Sequence, residues 1–280
     1  MPNQLNELEI GIMFWAGRDP LETVREVKSL GVRSGQLGIP GDLPLEGAAE
    51  NWKSALAQED FTVVTVFCSY VGESYADIPT VQRTVGFIPQ ETRAEREQRT
   101  KDVSDLAAVL KVKSIACHIG FVPEDRTDPD YIAVRDLVRR ICDHAAKHGQ
   151  TFALETGQEP ADVLLKFLKD VDRPNLGINF DPANLILYGT GDPIQAISVL
   201  HEHLLSVHCK DGCWPPKLHA GALGTEMPLG EGEVGMETFL AKLKQVGYKG
   251  TLNIEREVED PEQKKADMRK GVELLKRLLA

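Results

Sequence analysis

A chain of 280 residues can remove about three-quarters of its unfolded surface from water, so length alone permits one full-sized core. Its formal net charge of −11, from 43 acidic and 32 basic residues spread along the chain, leaves no basic stripe for a phosphate backbone; it argues against nucleic acid and for a small neutral or metal-bound partner. Five cysteines at scattered spacings make neither a CxxC zinc pair nor a disulfide framework, the opening residues lack a secretory pattern, and no apolar run would span a bilayer. The expectation is a cytoplasmic protein with reduced thiols and no membrane partner.

Short apolar or β-branched runs alternate with stretches of helical spacing. The first strand is LEIGIMFW (8–15), and the helix DPLETVREVKSLG follows from an Asp-Pro start to a stop at Gly31. RSGQLGI (33–39) is the second strand and 45–58 its helix. FTVVTVFCSY (61–70) is the third, followed by a long loop and the charged helix at 91–111. SIACHIG (114–120) precedes a helix at 128–149, TFALETG (151–157) a helix at 160–171, and LGINFDPAN (176–184) a helix at 193–203. LLSVHCKD (204–211) is the seventh strand; a Gly/Pro loop at 212–235 leads to the helix METFLAKLKQVGY. GTLNIERE (250–257) and a helix at 261–279 complete the set. Eight strand-helix units predict a single-domain α/β fold over residues 1–280, a (β/α)8 TIM barrel with parallel strands and right-handed crossovers.

Chemistry in such a barrel gathers where strands end. Strand five ends in Glu155, six in Asp181, seven in His208 and eight in Glu255. Three carboxylates at one mouth repel each other, and a divalent cation among them turns that repulsion into attraction. Three oxygen donors and one imidazole suit one Mn²⁺, Mg²⁺ or Co²⁺ ion; zinc is admitted, though not of the thiolate-bound structural kind. Taken singly, Asp181 before Pro182 also reads as a turn start and His208 as a hydrogen-bonded structural residue. Four such residues at four successive strand ends argue for a site.

The segments LETG, NFDPAN, SVHCKD, PLGEGEVGMETFLAKLKQVGYKG and NIERE resemble the xylose-isomerase-like TIM-barrel superfamily of sugar isomerases and epimerases, which includes ketose 3-epimerases, hydroxypyruvate isomerase and inosose dehydratase. The resemblance implies one divalent ion held by Glu155, Asp181, His208 and Glu255, with Glu155 and Glu255 also facing substrate as acid and base. Ketose 3-epimerases of this group carry a histidine three residues beyond the strand-six aspartate, where this chain has Asn184. They carry an arginine beyond the strand-seven histidine, where it has Gly212, Cys213 and Trp214.

Other residues carry paired readings. His118 either bonds a substrate hydroxyl or is structural, and Lys210, on the same strand face as His208, is placed to orient a substrate oxygen. Asp211 is the expected partner of the His208 ring. Glu159 either reaches substrate or places charge at a helix start, and Trp15 packs on a sugar face or in the core. Lys217 and His219 are either phosphate contacts or solvated loop groups. Cys209 and Cys213 read as bystanders.

The chemistry expected is proton abstraction next to a carbonyl by a sugar isomerase or epimerase acting on a keto-sugar or related polyol derivative, a small carbohydrate. A lyase on the same scaffold, inosose dehydratase-like or 3-keto-glycoside-eliminating, is the alternative. An apurinic-endonuclease-like nuclease is disfavoured for want of inward ligands and a basic track. A non-catalytic binding protein and a homo-oligomer are left open.

Overall fold

The computed structural model describes residues 8–217 and 219–280. The elements run β1 (Ile10–Trp15), α1 (Pro20–Lys28), β2 (Ser34–Ile39), α2 (Ala48–Glu59), β3 (Thr62–Cys68), α3 (Ile78–Thr84), α4 (Arg93–Val109), β4 (Ser114–Cys117), α5 (Pro129–Ala146), β5 (Thr151–Glu155), α6 (Ala161–Val171), β6 (Leu176–Phe180), α7 (Pro182–Leu187), α8 (Pro193–Leu200), β7 (Leu204–Cys209), β8 (Asp211–Cys213), β9 (Thr225–Met227), α9 (Met236–Gln245), β10 (Leu252–Ile254) and α10 (Pro261–Leu279). Strands close into a barrel in the order β1-β10-β7-β6-β5-β4-β3-β2, with parallel neighbours throughout. This is a (β/α)8 barrel. No helix among the described residues is long and apolar enough to cross a membrane.

Side-chain alternation divides the core. Met13, Phe67, Ala116 and Ala153 form a small cluster inside the barrel, while Ile12, Phe14, Ile178, Phe180, Val207 and Ile254 join the large shell between strands and helices. A register shift pairs Ile178 with Leu204 but Asn179 with Ser206, so β7 carries an extra residue, Leu205. Such a bulge moves every later side chain to the other face. Here it puts Ser206, His208 and Lys210 on the same inner face as Asn179 and Asp181.

The same dipeptide starts five of the helices. Asp19, Asp128, Asp181, Asp192 and Asp260 each cap a helix whose first residue is proline: the aspartate oxygen accepts a free N–H of the first turn and the proline lacks the donor that would go unmet.

Three sequence expectations are corrected. The sixth strand stops at Phe180 and residues 182–187 are helix α7, because the Asp-Pro pair starts a helix there as it does elsewhere. The long loop after β3 contains α3, capped by Asp77. The loop at 212–235 contains β9, which pairs antiparallel with β8.

The loops after β3 and β4 meet at Gly86, where φ is +66°. A Cβ there would lie 2.0 Å from the Ile119 carbonyl carbon. Gly86→Ala is expected to destabilise the protein by about 2–4 kcal/mol, adding backbone overlap to the left-handed penalty. Gly47→Ala, also left-handed but facing open space, should cost only about 1–2 kcal/mol. Urea unfolding of the two variants checks this; equal losses would contradict it.

Candidate active site

Four strands deliver one ligand atom each to the C-terminal end of the barrel. Glu155 closes β5, Asp181 follows β6, His208 is the penultimate residue of β7, and Glu255 follows β10. All four are buried, and their ligand atoms lie within 4.8 Å of one another. His208 Nδ1 stands 3.1 Å from Glu155 Oε1, 3.2 Å from Glu255 Oε2 and 3.5 Å from Asp181 Oδ2.

Asp181 separates itself from the other Asp-Pro caps. Its Oδ1 accepts from Asn184 N at 2.9 Å, as a cap should. Its Oδ2 is buried and makes no hydrogen bond, with Lys210 Nζ 4.0 Å away. A fully buried carboxylate oxygen without a donor costs free energy unless a cation completes it. With that oxygen, one each from Glu155 and Glu255 and the His208 imidazole nitrogen make three oxygens and one nitrogen, a set that fits a divalent ion of the Mg²⁺ or Mn²⁺ kind.

The charges answer one another. Burial opposes a proton on His208, but Glu255, Glu155 and Asp181 outweigh it and hold the imidazole well above its ordinary range. Burial pushes the Glu255 carboxyl up, and His208 with Lys210 reverses this, holding it well below the usual carboxylate range. Lys210, also buried, is kept charged by Glu255, Glu257 and Asp181. His208 Nδ1 would have to give up its proton to ligate a divalent ion, whose charge would then balance the carboxylates in the proton's place.

Behind the ring lies a polar layer that the sequence reading missed. His208 Nε2 is 2.9 Å from Gln36 Oε1, Gln36 Nε2 donates to Asn179 Oδ1 at 2.9 Å, and Ser206 Oγ donates to the same oxygen. Asn179 Nδ2 also stands 3.1 Å from Nε2; with the Nε2 hydrogen on the Gln36 oxygen, Nδ1 is left for the carboxylates or an ion.

Above this floor opens a cleft of about 610 Å³ walled by Trp15, Phe67, Tyr75 and Tyr188, a size that holds a small molecule. His118, Asn184 and Lys210 line it. His118 Nε2 is 3.0 Å from Glu155 Oε2 and its Nδ1 2.9 Å from Gln158 Nε2. Asn184 Nδ2 donates to Glu155 Oε1 at 3.3 Å. Lys210 Nζ donates to Glu255 Oε2 at 3.0 Å and to Glu257.

Two expected residues lie elsewhere. Asp211 does not orient His208: its oxygens accept from Gly212, Gly230 and Val234 N–H groups and organise the loop before α9, since a strand residue next to an inward one faces away. Glu159 does not line the cleft; it is buried and accepts from Val122 N at 2.8 Å. Lys217 and His219 are also outside the lining. Burial pushes the Cys209 thiol to about 12, which makes it a poor nucleophile.

A family model of the xylose isomerase-like TIM barrel matches residues 24–278, and the chain belongs to that family. A xylose isomerase domain protein from Planctomyces limnophilus is 43% identical and superposes with a TM-score of 0.91 over 97% of each chain. An L-ribulose 3-epimerase from Methylomonas sp. is 27% identical over 161 residues, 52% of this chain. A xylose isomerase-like TIM barrel protein from Mycobacterium smegmatis, solved in complex with magnesium, shares the fold with a TM-score of 0.73 at 18% identity, over 97% of this chain and 96% of its own. The chain spans 63% and 50% of the lengths of the curated relatives it matches.

Burial raises the Glu159 carboxyl to about 8. From the unfolded value of about 4.3 up to that pH, the folded state holds a proton the unfolded chain has lost, so stability falls as pH rises. Glu159→Gln keeps an acceptor for Val122 N and removes the titration. Thermal unfolding at a series of pH values should show the wild type losing stability relative to this variant between about pH 5 and pH 8. Parallel curves would contradict the assignment.

Proposed function

We propose that the protein is a divalent-metal-dependent sugar isomerase or epimerase that moves a proton next to the carbonyl of a keto-sugar or related polyol derivative. The observation that carries this reading is the buried convergence of Glu155, Asp181, Glu255 and His208 Nδ1 at the floor of a cleft, with Asp181 Oδ2 lacking a donor. The epimerase activity named for the Methylomonas relative and the magnesium in the Mycobacterium structure support it. Glu155, Asp181, His208 and Glu255 would hold the ion, which when bound supplies Lewis-acid polarisation of a substrate carbonyl worth several kcal/mol.

The chain's own residues divide the proton work. Glu255, kept ionised beside Lys210, accepts the proton from the carbon next to the carbonyl. Lys210 presents its ammonium to a substrate oxygen. Glu155 flanks the other side, with β6 and β7 between β5 and β10 in the barrel, and returns a proton. Its Oε2 meets His118 Nε2 at the cleft wall, a route for resupplying that proton. Return to the opposite face of the same carbon inverts it; return to the former carbonyl carbon, with the neighbouring hydroxyl's proton passing to the former carbonyl oxygen, isomerises the sugar. The aromatic wall packs on the apolar faces of the ring.

A lyase on the same scaffold is the second reading, inosose dehydratase-like or 3-keto-glycoside-eliminating. It is favoured by Asn184 in place of the ketose 3-epimerase histidine, and by the absence of arginine from the cleft lining among the described residues.

Proton NMR in D₂O with Mg²⁺-loaded enzyme and a panel of ketoses, inososes and 3-keto-glycosides tests the proposal. Deuterium should enter a carbon next to the carbonyl with the skeleton intact, and Glu155→Gln or Glu255→Gln should slow this by about 10²–10⁴-fold. Loss of water or an aglycone would establish the lyase instead. Absence of any exchange would overturn both.

A further inference from the structure

A second convergence of metal-binding side chains lies outside the barrel, between α4 and the end of α5. His144 is in the last turn of α5, and His148 lies in the turn that follows it, where its N–H donates to the Ala145 carbonyl and keeps the two side chains on the same side. Both rings aim at a single atom: Asp105 Oδ1, on α4, is 2.7 Å from His144 Nε2 and 2.8 Å from His148 Nε2. The ring centroids are 5.6 Å apart with planes at 66°, and the three ligand atoms lie within 4.8 Å of one another. Lys113 Nζ donates to the His148 carbonyl at 3.1 Å and ties down the chain there. The imidazoles are largely covered, at 19% and 32% side-chain exposure, while Asp105 is 54% exposed. The rings are therefore held in place with one side of the triad open to water.

We infer that Asp105, His144 and His148 form a second metal site, selective for Zn²⁺, with water in the remaining position. Two imidazoles and one carboxylate make a nitrogen-rich set, the reverse of the cluster in the barrel, and nitrogen-rich sets with an open position suit Zn²⁺ over Mg²⁺ or Mn²⁺. None of the three residues lines the cleft, so the ion has no part in the proton transfer proposed above. It joins α4 to α5, the helices before and after β4, and stabilises the folded chain because the unfolded one does not assemble the triad.

The test is calorimetric titration of Zn²⁺ into the full-length wild type, His144→Ala/His148→Ala and Asp181→Asn, each first stripped of metal. If both clusters bind, the wild type takes up about two ions per chain and each variant about one. If only the outer triad binds, the histidine variant takes up none and Asp181→Asn matches the wild type, so failure of the barrel site is distinguishable from failure of this one. Thermal unfolding gives a second readout: Zn²⁺ should raise the midpoint of Asp181→Asn and leave that of an Asp181→Asn/His144→Ala/His148→Ala protein unmoved. His148→Gln, which keeps a polar group at the helix end, guards against a misfolded alanine variant and should also lose the outer ion. Equal zinc uptake by the wild type and the histidine variants would overturn the inference.

Discussion

Glu155, Asp181 and Glu255 bury three carboxylates around one point, and like charges in a low-dielectric interior raise one another's energy steeply unless positive charge stands among them. His208, in β7, and Lys210, just beyond its end, supply part of that charge. Much of the barrel's internal arrangement serves this constraint. The bulge in β7 aligns Ser206, His208 and Lys210 with Asn179 and Asp181, and the Gln36–Asn179–Ser206 chain holds the imidazole from behind. One residue fewer in β7 would turn the imidazole into the apolar shell.

The interior departs from the apolar layers that fill most barrels of this type. Ser34, Gln36, Asn179, Ser206, His208 and Asn253 are all buried, and the apolar cluster of Met13, Phe67, Ala116 and Ala153 inside the ring is small. Stability rests mainly on the outer shell between strands and helices, which leaves the inside free for polar groups that would otherwise be costly. Asp181 shows the division within one residue: one oxygen performs the capping task of Asp19, Asp128, Asp192 and Asp260, and the other is left without a hydrogen bond at the centre of the cluster.

The barrel was legible because each strand-helix unit carries its own local signals, the Asp-Pro helix starts above all, and because strand ends mark a barrel's mouth. Glu155, Asp181, His208 and Glu255 could be singled out for that reason, and the structure brings them together. Gln36 and Asn179 were not singled out, although each is a polar residue inside an otherwise apolar strand and Asn179 shares the inward parity of Asp181. The partners of Gln36 are 143 and 172 residues away in sequence, which no local pattern reports. Asp211 was misassigned because closeness in sequence to His208 suggested contact, whereas it starts β8 and its oxygens turn to the loop before α9. The β8–β9 pair and α3 lay hidden in segments where turn residues dominate and periods are too short to read.

The most direct measurement is anomalous diffraction at the manganese edge from crystals grown with Mn²⁺. A single strong peak enclosed by Glu155, Asp181 Oδ2, His208 Nδ1 and Glu255 is the result expected. A structure with the four side chains hydrogen-bonded among themselves and manganese only elsewhere would contradict the account, because the buried carboxylates would then be balanced by His208 and Lys210 alone.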